Sequence, residues 1–129
     1  MKKFLSLAVM IFFIAACNKT TDESFVGNKY VATSSNGTEI TLAFDAEQPR
    51  AFGKVVNNYN MPYTLEGDSL KFGLSMSTMM MGPENAMKAE TEYHRFMAMV
   101  TSFRLADNTL ILISSDGREM VFEKTGKIE

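Results

Sequence analysis

Four dipeptides constrain this chain more than any other feature. Asn36-Gly37, Gly67-Asp68, Asp107-Asn108 and Asp116-Gly117 each lie between two short runs of apolar residues. Such pairs accept the positive φ angles of a tight hairpin turn, and alternating flanks have the period of a half-buried strand. KYVATSS and TEITLAF flank the first, and MPYTLEG and SLKFGLSM flank the second. SFRLAD, TLILIS and REMVFEK surround the last two as a three-stranded meander, and RAFGKVV (50–56) adds a strand after Gln48-Pro49. The spacing predicts about eight short antiparallel strands, five of them before Thr78.

Between the two strand groups the period changes. Gly82-Pro83 opens a segment with apolar residues at 86, 89, 93, 96, 97 and 100, a helical stripe, and proline is tolerated in a first helical turn because its missing N–H has no partner there. This predicts one helix over about 83–100, with Glu84/Lys88 and Glu92/Arg95 on its solvated side. A lone helix among strands buries its stripe on a curved sheet. The expected class is therefore α+β: a barrel-like antiparallel sheet with one helix inserted before the last three strands. A length of 129 residues, 46% hydrophobic, suits a single core.

The N-terminus reads as Lys2-Lys3, an apolar run from Phe4 to Ala16, and Ile14-Ala15-Ala16 ahead of Cys17. The run is too short to span a bilayer and reads as an export signal. Ile-Ala-Ala-Cys resembles the bacterial lipobox, so 1–16 is expected to be a cleaved signal peptide and Cys17 the lipidated first residue. Residues 17–27 then form a polar tether and 28–127 the domain. A lone cysteine in an exported chain has no disulfide partner, which lipidation accounts for. Several acyl chains anchor stably where one holds only marginally. Without Lys2 and Lys3, 11 Lys+Arg face 15 Asp+Glu, a formal −4, so no basic surface for nucleic acid is expected. The expected location is the cell envelope. The outer membrane is favoured over the inner because Asn18, not aspartate, follows the cysteine.

The order Gly53, Asn57, Tyr59, Tyr63, Gly67, Leu70, Thr78-Met79-Met80, Pro83, Glu90 and a closing meander resembles the META domain of HslJ-like heat-shock lipoproteins. The family pattern runs about Gly-Cys-Asn-x-Tyr, then Thr-x-Met-Ala-Cys-Pro ahead of a helix. Asn57, Tyr63, Thr78, Met80 and Pro83 match it, whereas Val56 and Gly82 stand where its cysteines would be. Their joint absence is what proximity in the fold would produce, and it weakens a redox role rather than the resemblance. The resemblance implies a small envelope domain linked to stress or drug tolerance, with no established enzymatic activity and no cofactor.

Two constellations carry candidate chemistry. Seven of the eleven methionines lie between Met76 and Met99, near His94. Thioethers favour Cu(I), which makes Met79, Met81, Met87 and His94 an alternative soft-metal set. Strand alternation sends Met79 and Met81 to one side and Met80 to the other, so the competing expectation is that methionine fills gaps between helix and sheet. His94 lies four residues after Glu90, but no nucleophile or second imidazole accompanies it, and no catalysis is expected. In NNYNMPY, Asn57 is expected to satisfy backbone groups at a bend, Tyr63 to pack inside, and Tyr59 to be the more exposed contact residue. The expected partners are the membrane, through the anchor, and an unidentified envelope protein.

Overall fold

The computed structural model describes residues 25–128. The signal peptide expected over 1–16, the expected lipidation site Cys17 and most of the expected tether lie outside the described residues. Strands β1 (Asn28–Thr33), β2 (Glu39–Phe44), β3 (Arg50–Lys54), β4 (Asn58–Glu66), β5 (Ser69–Phe72) and β6 (Met76–Ser77) precede helix α1 (Glu84–Met97), and β7 (Val100–Ala106), β8 (Thr109–Ser114) and β9 (Glu119–Lys127) follow it.

All pairings are antiparallel. The strand order is β3-β2-β1-β9-β8-β7-β5-β4, and β4 pairs back onto β3, which closes an eight-stranded barrel with β6 as a short annex on β4. Local turns build most of this ring. Gly37, Gly67 and Gly117 have φ of 90°, 62° and 89°, and Asp107 takes φ 56° in the β7–β8 turn. Register shifts at Lys29/Tyr30 and Val100/Ser102 bend β1 and β7, as curvature requires.

Alternation decides the interior. Tyr30, Leu42, Phe44, Ala51, Met61, Leu70, Leu112 and Phe122 point inward and fill the barrel with side chains. Phe25 packs against Phe44, Tyr63 and Phe103, with ring centroids 4.5, 6.1 and 5.1 Å away. The sequence assigns residue 25 to the polar tether, whereas here it is fully buried beside the last residue of β2, and its one large ring outweighs its polar neighbours.

The helix closes the opposite end. Asn36 in the β1–β2 turn donates to Asn85 C=O (2.9 Å), Arg118 in the β8–β9 turn sits over the Phe96 ring (5.7 Å), and Tyr93 and Met97 reach the core. The helix is shorter than its sequence stripe. Pro83 is its N-cap, its last residue is Met97, and Val100 already begins β7.

Candidate functional site

The helix-bearing end holds the polar centre of the molecule. β4 begins at Asn58, three residues earlier than the sequence suggests, because Asn58, Asn60 and Pro62 face out while Tyr59 and Met61 face in. Asn57 is thereby placed at the bend between β3 and β4, opposite α1. The Glu90 carboxylate accepts from Val56 N–H (3.1 Å) and Asn57 N–H (2.7 Å) on Oε2, and from Asn57 Nδ2 (2.9 Å) on Oε1. Both residues are buried.

The Asn57 amide works in the other direction as well. Its Nδ2 donates to Met80 C=O (3.2 Å), and its Oδ1 accepts from Met80 N–H (2.5 Å) and Thr78 Oγ1 (2.9 Å). Thr78 is paired with Asn58 through two further bonds, Asn58 N–H to Thr78 Oγ1 (3.1 Å) and Thr78 N–H to Asn58 C=O (3.0 Å). Asn57 thus ties the segment after β6 to the helix through one side chain. A carboxylate with three donors is the arrangement in which a buried charged group costs least.

A second polar pair lies beside it. Tyr59 Oη donates to Thr41 C=O (2.6 Å) and lies 2.5 Å from Tyr93 Oη. Since Tyr59 has one proton and gives it to Thr41, the proton between the rings belongs to Tyr93. Burial holds both phenols above the ordinary tyrosine value. The expectation that Tyr59 is an exposed contact residue is overturned: it is 3% exposed, because its parity on β4 matches inward Met61. Gly53 makes the bond possible. A Cβ there would stand 2.0 Å from Thr41 O and 2.8 Å from Tyr59 Oη.

The remaining candidates are dispersed. Tyr63 is half-buried against Phe44 (5.5 Å) at the Phe25 end. His94 is half-buried, its ring 5.3 Å from Tyr59 and its Nδ1 3.4 Å from Ser75 Oγ, while its Nε2 is enclosed with no partner. Burial pushes its pKa down, partly opposed by Glu90. Met87 is partly buried on α1. Met79 and Met81 are 92% and 87% exposed, so they do not fill a gap between helix and sheet, as the sequence had suggested. Among the described residues the buried methionines are Met61 and Met97. Among the described residues no group of three or more His, Cys, Asp or Glu is arranged to hold a metal, and no helix is long and apolar enough to cross a membrane.

The two positions that lack the family's cysteines meet. A Cβ built on Gly82 lies 3.7 Å from Val56 Cβ and 2.8 Å from Val56 Cγ1. The META domain pattern matches residues 21–127. The chain belongs to the META domain family. Two solved structures resemble it: an NMR structure of a protein from Burkholderia xenovorans, with 19% identity and TM-score 0.64 over 81% of this chain and 86% of that one, and a second NMR structure, with 18% identity and TM-score 0.62 over 80% and 93%. At these identities the likeness concerns the fold. No match is found among curated proteins. Within the META domain seen here, Asn57, Thr78, Met80 and Glu90 form one hydrogen-bonded unit, and Pro83 caps the helix that carries Glu90.

Proposed function

We propose that this META-domain protein is a non-catalytic binding or structural module of the bacterial cell envelope, anchored through lipid on Cys17 and acting in envelope stress or drug tolerance. The observation that carries the reading is how the motif residues are used. Asn57, Thr78 and Glu90 direct their polar atoms at one another and at backbone, and the barrel interior is filled with side chains. The motif holds loop to helix, which leaves recognition to the outer surface. Chain direction supports the same view: Phe25 is at the end opposite α1, so a tether arriving there would leave the helix-bearing end facing away from the membrane.

Two measurements test this. Membrane fractionation with mass analysis of the N-terminal peptide should show acylated Cys17 in the parent and a released protein for Cys17→Ser; equal membrane association of both refutes the anchor. Photo-crosslinking in intact cells from positions 52 and 74 should capture one recurrent envelope protein. Recovery of bulk lipid and abundant porins alone refutes the partner.

A second reading, Cu(I) or Ag(I) capture, is favoured by the exposure of the Met79 and Met81 thioethers. Anaerobic Cu(I) competition should then give a stoichiometric complex that Met79→Leu/Met81→Leu abolishes; undiminished binding in that variant refutes it.

A further inference from the structure

The segment from Leu74 to Met81 turns its large apolar side chains outward. Leu74 is 85% exposed, Met76 66%, Met79 92%, Met80 50% and Met81 87%, whereas core Met61 and Met97 are 1% exposed. An apolar side chain in water gains nothing from burial, so Leu74, Met79 and Met81 add almost nothing to the fold through packing. The backbone and Asn57 hold the segment instead. Met76 and Ser77 pair with Asn60 and Tyr59, Thr78 N–H donates to Asn58 C=O, and the Met80 N–H and C=O are both taken by the Asn57 amide. The loop is ordered without help from its sulfurs, and the sulfurs are presented.

A thioether reachable by solvent has one characteristic reaction in an oxidising compartment, and its rate follows exposure. We propose that Met76, Met79 and Met81 form an oxidant-sensitive modification site, converted reversibly to sulfoxides by two-electron oxygen-transfer oxidants of the peroxide and hypochlorous acid class. With a peroxide the sulfur lone pair attacks the terminal oxygen, the O–O bond breaks, and the departing hydroxide takes up the proton released from the transferred oxygen. With hypochlorous acid the lone pair attacks chlorine and hydroxide leaves; water then displaces chloride from the chlorosulfonium sulfur and loses two protons, one of which neutralises the hydroxide. Sulfur gains one oxygen and is oxidised by two electrons, and two thiols of a reductase return it while forming a disulfide and water. Each sulfoxide replaces an apolar terminus with a polar one, so oxidation makes most of the exposed patch polar, with Leu74 unchanged, and leaves the barrel intact. The surface offered to a partner then depends on oxidant. The site requires neither the lipid anchor nor a metal.

Hydrogen peroxide or hypochlorous acid titrated onto the purified full-length protein, followed by peptide mass analysis, should place sulfoxides on Met79 and Met81 at least tenfold faster than on Met61 and Met97. Retention on a phenyl matrix should fall at the same dose and return after methionine sulfoxide reductase with thiol, and the thermal midpoint should not change. The variant Met76→Leu/Met79→Leu/Met81→Leu should keep parental retention and be indifferent to that dose, and the Gln counterpart should resemble the oxidised parent. The proposal is overturned by equal rates at buried and loop methionines, by unfolding at the dose that oxidises the loop, by sulfoxides that leave retention unchanged, or by failure of the reductase to restore it.

Discussion

The contact between Val56 and Gly82 defines a covalent test of the loop's placement. A Cβ on Gly82 lies 3.7 Å from Val56 Cβ, and disulfides have Cβ···Cβ of about 3.8 Å. The double substitution Val56→Cys/Gly82→Cys, in a Cys17→Ser background so that no third thiol competes, should therefore oxidise spontaneously in the folded protein. The bridge would enclose the chain from 56 to 82. Chain entropy for a loop of that length gives roughly 3.5 kcal/mol of stabilisation, from −2.1 − 1.5R ln n, and at about 4 °C per kcal/mol for a domain this size the thermal midpoint should rise by about 10–15 °C. The single variant Gly82→Cys should instead be destabilised by about 1–2 kcal/mol, because its Cβ meets Val56 Cγ1 at 2.8 Å. The assay is thermal unfolding with and without reductant, alongside a mass loss of two hydrogens. If no bridge forms under native conditions, or if the oxidised protein melts no higher than the reduced one, the juxtaposition of 56 and 82 is refuted.

Three further outcomes follow from the polar centre and its neighbours. Glu90→Gln places an amide NH2 against the Asn57 Nδ2 donor and should cost about 2 kcal/mol in chemical denaturation, with strong non-additivity toward Asn57→Ala; a loss below half a kcal/mol would show that the network is idle. Tyr59→Phe strips the Tyr93 hydroxyl of its acceptor and should cost about 1–3 kcal/mol, while adding Tyr93→Phe should recover much of it; additive losses would contradict the assigned proton direction. His94 has a folded pKa depressed below its unfolded value by burial, so its contribution is complete above pH 6.5 and is lost as pH falls through the folded value. The parent should thus lose stability between pH 7 and 5 where His94→Gln does not, and an imidazole NMR titration at or above 6.5 would refute this.

Hairpins and helix were legible because their signals are local. Asn36-Gly37 or Asp116-Gly117 needs only its flanks to be recognised, and the α1 stripe only its own period. The pairings β1–β9 and β5–β7 join distant segments and leave no local trace. Three misreadings share one cause, composition overriding parity. The asparagines at 57, 58 and 60 looked like a loop and hid the inward alternation of Tyr59 and Met61; the polar residues before Phe25 hid a core ring; and Met79 and Met81, which composition assigns to packing, are on the surface while Met97 does pack in the core. The family pattern flagged Glu90, but its role was not read. A signal was present: residue 90 falls among 86, 89, 93 and 97 on the apolar stripe, where a carboxylate needs buried donors. Asn57 is that donor, from a segment 33 residues away.

Closure of the barrel also sets how the molecule meets mechanical load. β1 is bonded on both sides, to β2 through five residue pairs and to β9 through four. Its first residue lies near the buried Phe25, at the end opposite α1. A pull entering at the N-terminus, resisted by anything gripping the helix-bearing end, runs along β1 rather than across it. Both ladders are then sheared at once, so their bonds share the load instead of opening one at a time. β1 is seated where a pull arriving at its N-terminal end is resisted by two ladders at once.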